Sequence, residues 1–173
     1  MRDVFVKKIF ILIYIKKEMG HKKEFRNIDV AASFLLLLEQ GNAAELVKLF
    51  SSDGTLTFHG DAAKVGPAKI IPYSGTFEGA LGVTEFVNLL LEFTNLGDFS
   101  NLKCIFAGDH GLYSQADLTL TPKCDLVEGE EQTLSTVLKF SFTKCSCIES
   151  VDIYNDTSAL ALFYNENCPP LLI

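Results

Sequence analysis

Apolar positions along this chain keep a helical period in the first half of the sequence and a period of two in the second. Over Asn27 to Gln40, Val30, Phe34, Leu37 and Leu38 share one helical face, with Asn27 or Asp29 as the cap and Gly41 as the stop. Asn42-Ala-Ala-Glu opens a short second helix, Ala43 to Phe50, with Leu46, Leu49 and Phe50 on one side. Ser51-Ser-Asp-Gly54 has turn composition, and Thr55-Leu-Thr-Phe-His59 alternates as a strand. Residues 60–68 read as a loop. From Ala80 to Phe93, Val83, Phe86, Leu90 and Phe93 recur at helical spacing with Leu89 beside them, the broad buried stripe of a third helix.

After Leu102 alternation takes over. "LKCIFAGDHGLYSQADLTLTPK" predicts two strands around a Gly/Asp turn that contains His110. "TLSTVLKFSFTK" and "CIESVDIYND" predict two more, joined near Lys144, and Glu128 to Glu131 reads as a solvated acidic connection. Helices followed by antiparallel strands give an α+β class with helices on one face of a curved sheet. A strongly bent sheet closed by about three helices encloses a cone, which side chains or a ligand must fill. The run "IPYSGTFEG" (71–79) leads into the third helix. Pro72 stiffens it, Gly75 and Gly79 permit a tight turn, and Phe77 anchors it in the core.

Charge divides the chain. Residues 1–26 carry eight basic and three acidic side chains, so the net charge of −7 leaves −12 on the remaining 147 residues. An acidic body of that kind repels phosphate backbones, which excludes nucleic acid as a partner of the domain. The apolar run Ile9 to Ile15 has seven residues, against about 20 for a membrane-spanning helix, and no small-residue cleavage site follows it. Residues 1–26 therefore read as a basic extension without stable membrane insertion, a weak amphipathic anchor being the competing reading. Five cysteines (104, 124, 145, 147 and 168) have neither disulfide-framework nor zinc spacing, so reduced thiols and a cytoplasmic location are expected.

Three stretches together resemble the SnoaL-like and ketosteroid-isomerase-like superfamily, whose cone-shaped fold is shared with nuclear transport factor 2. They are "FLLLLEQGNAAELVKLFSSDGTLTFHG" (34–60), "IPYSGTFEGALGVTEFVNLL" (71–90) and "TLSTVLKFSFTKCSCIESVDIYNDTSAL" (133–160). The resemblance covers about 27–165, leaving 166–173 as a tail. It implies a cystatin-like cone with a mainly antiparallel sheet, a deep apolar pocket and a homodimer formed through the sheet. Members include isomerases, cyclases, dehydratases and pure binding domains, so the site has to be argued by residue.

Isomerase chemistry needs a carboxylate base and two donors at the developing enolate oxygen; ketosteroid isomerase is itself a standard worked case of that arrangement. Matching the chain on Gly41, Asp53 and the last hairpin puts Phe34, Phe58 and Leu138 at those three positions. None of them can donate or abstract a proton. The remaining polar candidates are His59, at a strand end and able to titrate near neutrality, and Tyr73, whose hydroxyl either faces the interior or packs against the third helix. Asp117 is expected to face outward between inward Ala116 and Leu118, while Asp53 and Asp61 read as turn residues. The expected lining is Phe34, Phe58, His59, Tyr73, Leu118, Leu138 and Phe140. No nucleophile set, phosphate loop, metal spacing or cofactor signature is present in the sequence. The sequence thus points to a domain binding a hydrophobic small molecule. Two alternatives compete with it: an isomerase, cyclase or dehydratase using His59 and Tyr73 as an acid/base pair, and a dimerisation module with a self-filled cavity.

Overall fold

The structure is a computed structural model that describes residues 22–60, 71–106, 111–124 and 127–167, without the side chains of 22–25 and 104–106. The extension through residue 21, Asp61 and most of its loop, His110 and the tail from residue 168 lie outside the described residues.

Helix α1 spans Lys22–Glu39. It starts five residues before Asn27 because the preceding Lys-Lys-Glu run favours helix; Asn27 is thus an interior, buried position and not a cap. Gly41, at φ +63°, ends it in the left-handed region, and the Gly41 and Asn42 amides close onto Leu38 and Leu37 carbonyls at 2.9 Å. Asn42 then caps α2 (Ala43–Leu46), its Oδ1 accepting from the Glu45 amide at 3.2 Å. A 3-10 turn, Val47–Leu49, carries the chain into β1 (Phe50–His59). The expected turn at 51–54 is an irregularity inside that strand. Register against the last strand passes from Phe50↔Ile148 to Thr55↔Ser150, so extra β1 residues bulge out.

The run "IPYSGTFEG" holds a strand as well as a turn. In β2 (Gly75–Glu78), Phe77 pairs with Leu56 of β1, and Gly75 and Gly79 take φ values of +126° and +62°. Helix α3 (Gly79–Phe93) buries Val83, Phe86, Val87 and Leu90. It runs directly into β3 (Thr94–Phe106), eight residues ahead of the alternation that starts at Leu102. Two register shifts, between Leu96 and Phe99 and between Ser100 and Lys103, hide the early part of the strand. The first is held by Glu39, whose Oε1 accepts the Phe99 amide at 2.6 Å.

Strands β4 (Gly111–Cys124), β5 (Val127–Glu128), β6 (Gln132–Phe142) and β7 (Ile148–Asn155) follow. The curled sheet runs β2-β1-β7-β6-β4-β3, with β5 paired to β4. Among the described strands, only β1 and β7 pair in parallel. A fourth helix, α4 (Ser158–Asn167), was not expected from the sequence. Asp156 starts it by accepting the Ser158 amide at 3.0 Å and the Ser158 hydroxyl at 2.7 Å. The hydroxyl bond, then the amide bond, holds the Asp156 carboxyl below its ordinary range.

The cysteine reading needs one correction. Cys145 and Cys147 are free, but Cys124 is disulfide-bonded. Sequence spacing missed this because a bridge depends on which elements the fold brings within about 7 Å, not on motif distance.

Candidate ligand site

Strand alternation sorts every sheet residue onto one of two faces. The helix-covered inner face carries Leu56 and Phe58 of β1, Val151 and Ile153 of β7, Leu138 and Phe140 of β6, and Ala116 and Leu118 of β4, all buried. Phe34 of α1 and Phe86 of α3 close onto it. Six of the seven expected lining residues (Phe34, Phe58, Tyr73, Leu118, Leu138 and Phe140) therefore lie in the same apolar interior.

Their contacts form two groups of aromatic rings. Phe34 meets Phe140 edge-on at 5.4 Å between centroids, and Phe58 meets Tyr73 at 5.1 Å and Phe86 at 6.1 Å. Tyr73 then meets Tyr164 of α4 edge-on at 6.2 Å. Edge-to-face pairs of this kind contribute about 0.5–1.5 kcal/mol each beyond burial. Tyr164 was not singled out from sequence, because α4 lacks a clean apolar stripe. Only Leu160 and Tyr164 of that helix are buried. Leu160 and Tyr164 stand four residues apart, the spacing of one helical face, and that was the available signal.

The two tyrosines differ in how their hydroxyls are satisfied. Tyr164 donates to the Phe93 carbonyl at 2.5 Å, whereas Tyr73 Oη is buried without a hydrogen-bond partner. Burial drives the Tyr73 phenol well above its ordinary ionisation range, and the neighbouring Tyr164 adds to the shift. Burial likewise pushes Tyr164 up to about 12. Both phenols are neutral donors at physiological pH. An unpaired buried hydroxyl costs about 1–3 kcal/mol.

The seventh lining candidate, His59, is on the other face. It is exposed, stacks on Tyr154 at 4.2 Å between ring centroids, and places Nε2 3.0 Å from Asp152 Oδ1. Its neighbour Phe58 points inward, so His59 points outward; the backbone of β1 separates it from Tyr73. The structure does not bring His59 and Tyr73 together as an acid/base pair. Asp117 also turns outward, accepting from Asn101 Nδ2 at 2.6 Å. Asp53 is exposed in the β1 bulge. Among the described residues, no group of three or more His, Cys, Asp or Glu side chains is placed to hold a metal ion.

No family model and no curated protein matches the sequence. Solved structures do resemble it. An NTF2-like protein from Burkholderia xenovorans is 17% identical with a TM-score of 0.65, over 83% of this chain and 98% of that one. The epoxide hydrolase/cyclase-like enzyme SalBIII, involved in pyran ring formation in polyether salinomycin, is 15% identical with a TM-score of 0.55, over 80% of this chain and 96% of that one. A protein with a ketosteroid isomerase-like fold from Catenulispora acidiphila, in complex with trimethylamine, is 16% identical with a TM-score of 0.54, over 75% and 86% respectively. At such identities the likeness speaks to architecture and leaves activity open. The curled mixed sheet, with four helices among the described residues, has the cone-shaped architecture of these NTF2-like and ketosteroid isomerase-like folds.

Proposed function

We propose that this chain is a small-molecule-binding domain whose apolar interior takes a hydrophobic ligand without ketosteroid isomerase chemistry. The observation that carries this reading is the occupancy of the three catalytic positions. By the sequence resemblance Phe34, Phe58 and Leu138 match them, and all three side chains are buried in the apolar interior. Missing one oxyanion donor costs about 2.7–4 kcal/mol of transition-state stabilisation, and here both donors and the base are absent. The trimethylamine complex of a like-folded protein supports small-molecule binding as a use of this cone. Native mass spectrometry of protein purified without denaturation tests the reading. A retained small organic molecule is expected, and an empty protein that also fails to take up apolar probes contradicts it.

An enzyme remains the alternative, with SalBIII as the like-folded precedent. That version now requires Tyr73 without His59, since the two lie on opposite faces. The self-filled dimerisation module draws support from the ring contacts that run from Phe58 through Tyr73 to Tyr164. Its interface would be the outer face, where Tyr154, Val137 and Tyr113 are 41%, 39% and 39% exposed. Tyr154 and Val137 are cross-strand partners there. A homodimer through this face is compatible with ligand binding behind it.

No helix among the described residues is long and apolar enough to cross a membrane. The Cys124 disulfide favours an oxidising compartment over the cytoplasm, where such bonds are kept reduced.

A further inference from the structure

The inner face holds a second unsatisfied polar group, and it belongs to a residue no sequence motif marks. Asn155 ends β7 two positions beyond Ile153, on the same face by strand alternation. Both its Oδ1 and Nδ2 are shut off from solvent and have no hydrogen-bond partner. Its cross-strand neighbour Thr136 is fully buried but directs its hydroxyl to the Leu134 carbonyl at 3.1 Å, so it leaves the amide unanswered. Thr136 in turn faces Ala116 on β4, the smallest side chain on that strand's inner face. The row Asn155–Thr136–Ala116 therefore places two polar side chains beside a small one on a largely apolar inner face.

Tyr73 borders the same end of the sheet. Its ring packs on Phe58, whose strand partner is Ile153, and α4 begins three residues after Asn155 and delivers Tyr164 against Tyr73. The Tyr164 proton is committed to Phe93, and the Tyr73 hydroxyl, which interacts with the Tyr164 oxygen, makes no well-formed hydrogen bond.

We propose that the Asn155 side-chain amide, together with the Tyr73 hydroxyl, is the polar anchor of a ligand site that takes a hydrophobic molecule bearing a carbonyl or carboxamide group. The inference rests on the small-molecule-binding reading above and adds which end of the ligand is polar. Native proteins leave very few buried amides unpaired, so two open amide atoms on one residue mark the place of a missing partner. A primary amide offers an acceptor and two donors, and its closest complement is another carboxamide. A tyrosine held neutral donates to the same carbonyl oxygen.

The test compares 2-naphthamide with 2-isopropylnaphthalene, two probes of nearly equal shape, by titration of the full chain. The unmodified protein is expected to bind 2-naphthamide about tenfold or more tighter. Asn155→Leu is expected to bring that ratio close to one while keeping the affinity for 2-isopropylnaphthalene. Equal affinities in the unmodified protein, or a ratio unchanged by Asn155→Leu, overturn the anchor and leave the apolar site standing. If neither probe binds, both the anchor and the binding reading fall. The side-chain amide resonance of Asn155 in the unmodified protein guards against a variant that does not fold. It should move with 2-naphthamide and stay put with 2-isopropylnaphthalene; no movement with either probe counts against the anchor.

Discussion

The two faces of the sheet are built from the same strands, yet they do opposite work. On the inner face, Phe58, Leu138 and Ile153 lie in neighbouring strands and are buried among mostly apolar side chains. One residue along each strand, the outer face presents His59, Val137 and Tyr154, with Lys139 and Asp152 in the next row. The histidine and carboxylate groups are on the outside, where water competes for every proton. The apolar interior is on the inside, where Phe34, Phe58 and Leu138 stand at the positions that the sequence resemblance gives to isomerase catalysts. A one-residue step along a strand decides which of these a side chain joins.

The largest test of that contrast is stability. Phe58→Ala should cost about 3–5 kcal/mol in chemical denaturation, through lost burial and the cavity left behind. Tyr154→Ala, one row away on the outer face, should cost under about 1 kcal/mol. Equal costs would mean the outer face is covered in solution, as in a tight dimer.

Alkaline pH comes next. Tyr73 and Tyr164 ionise later in the folded protein than in the unfolded chain. Between the ordinary tyrosine value and their folded values, the unfolded state has lost protons that the folded state retains. Stability is thus complete at neutral pH and falls as pH rises past about 10, by up to about 1.4 kcal/mol per pH unit for each tyrosine. For Tyr164 the fall ends near 12. Tyr164→Phe should flatten the profile in melts recorded from pH 8 upward. At neutral pH the same variant should cost about 1–2 kcal/mol, because the part-buried Phe93 carbonyl loses its donor.

The smallest effect belongs to the outer His59–Asp152 hydrogen bond. His59→Ala should change stability by less than about 1 kcal/mol, since both His59 and Asp152 are open to solvent. It should leave binding of an apolar probe untouched. Weakened binding would return His59 to the site and revive its role as an acid or base.

Much of this contrast was legible in the sequence, for reasons particular residues make plain. The period-two run Leu134 to Phe142 places Leu138 and Phe140 inward, and the helical stripe of Val83, Phe86 and Leu90 places α3. The start of β3 was obscured because Gly97, Asp98 and Asn101, at φ +52°, break the alternation at its register shifts. Helix α4 was hidden because it buries only two side chains. Asn155 could not be read from its neighbours, since a polar residue at a strand end is ordinarily solvated. Only the burial of its amide distinguishes it. His59 failed as an interior candidate for the converse reason: residue type suggested chemistry, but parity along β1 set its direction.

The central claim is that ligands enter the inner face. It is tested most directly by methyl and side-chain NMR shifts of the full chain titrated with 2-naphthamide. Shifts concentrated at Leu118, Leu138, Ile153 and Asn155, with Val137 unmoved, are the predicted result. Shifts confined to Val137 and its outer-face neighbours, or no shifts at all, would contradict the account.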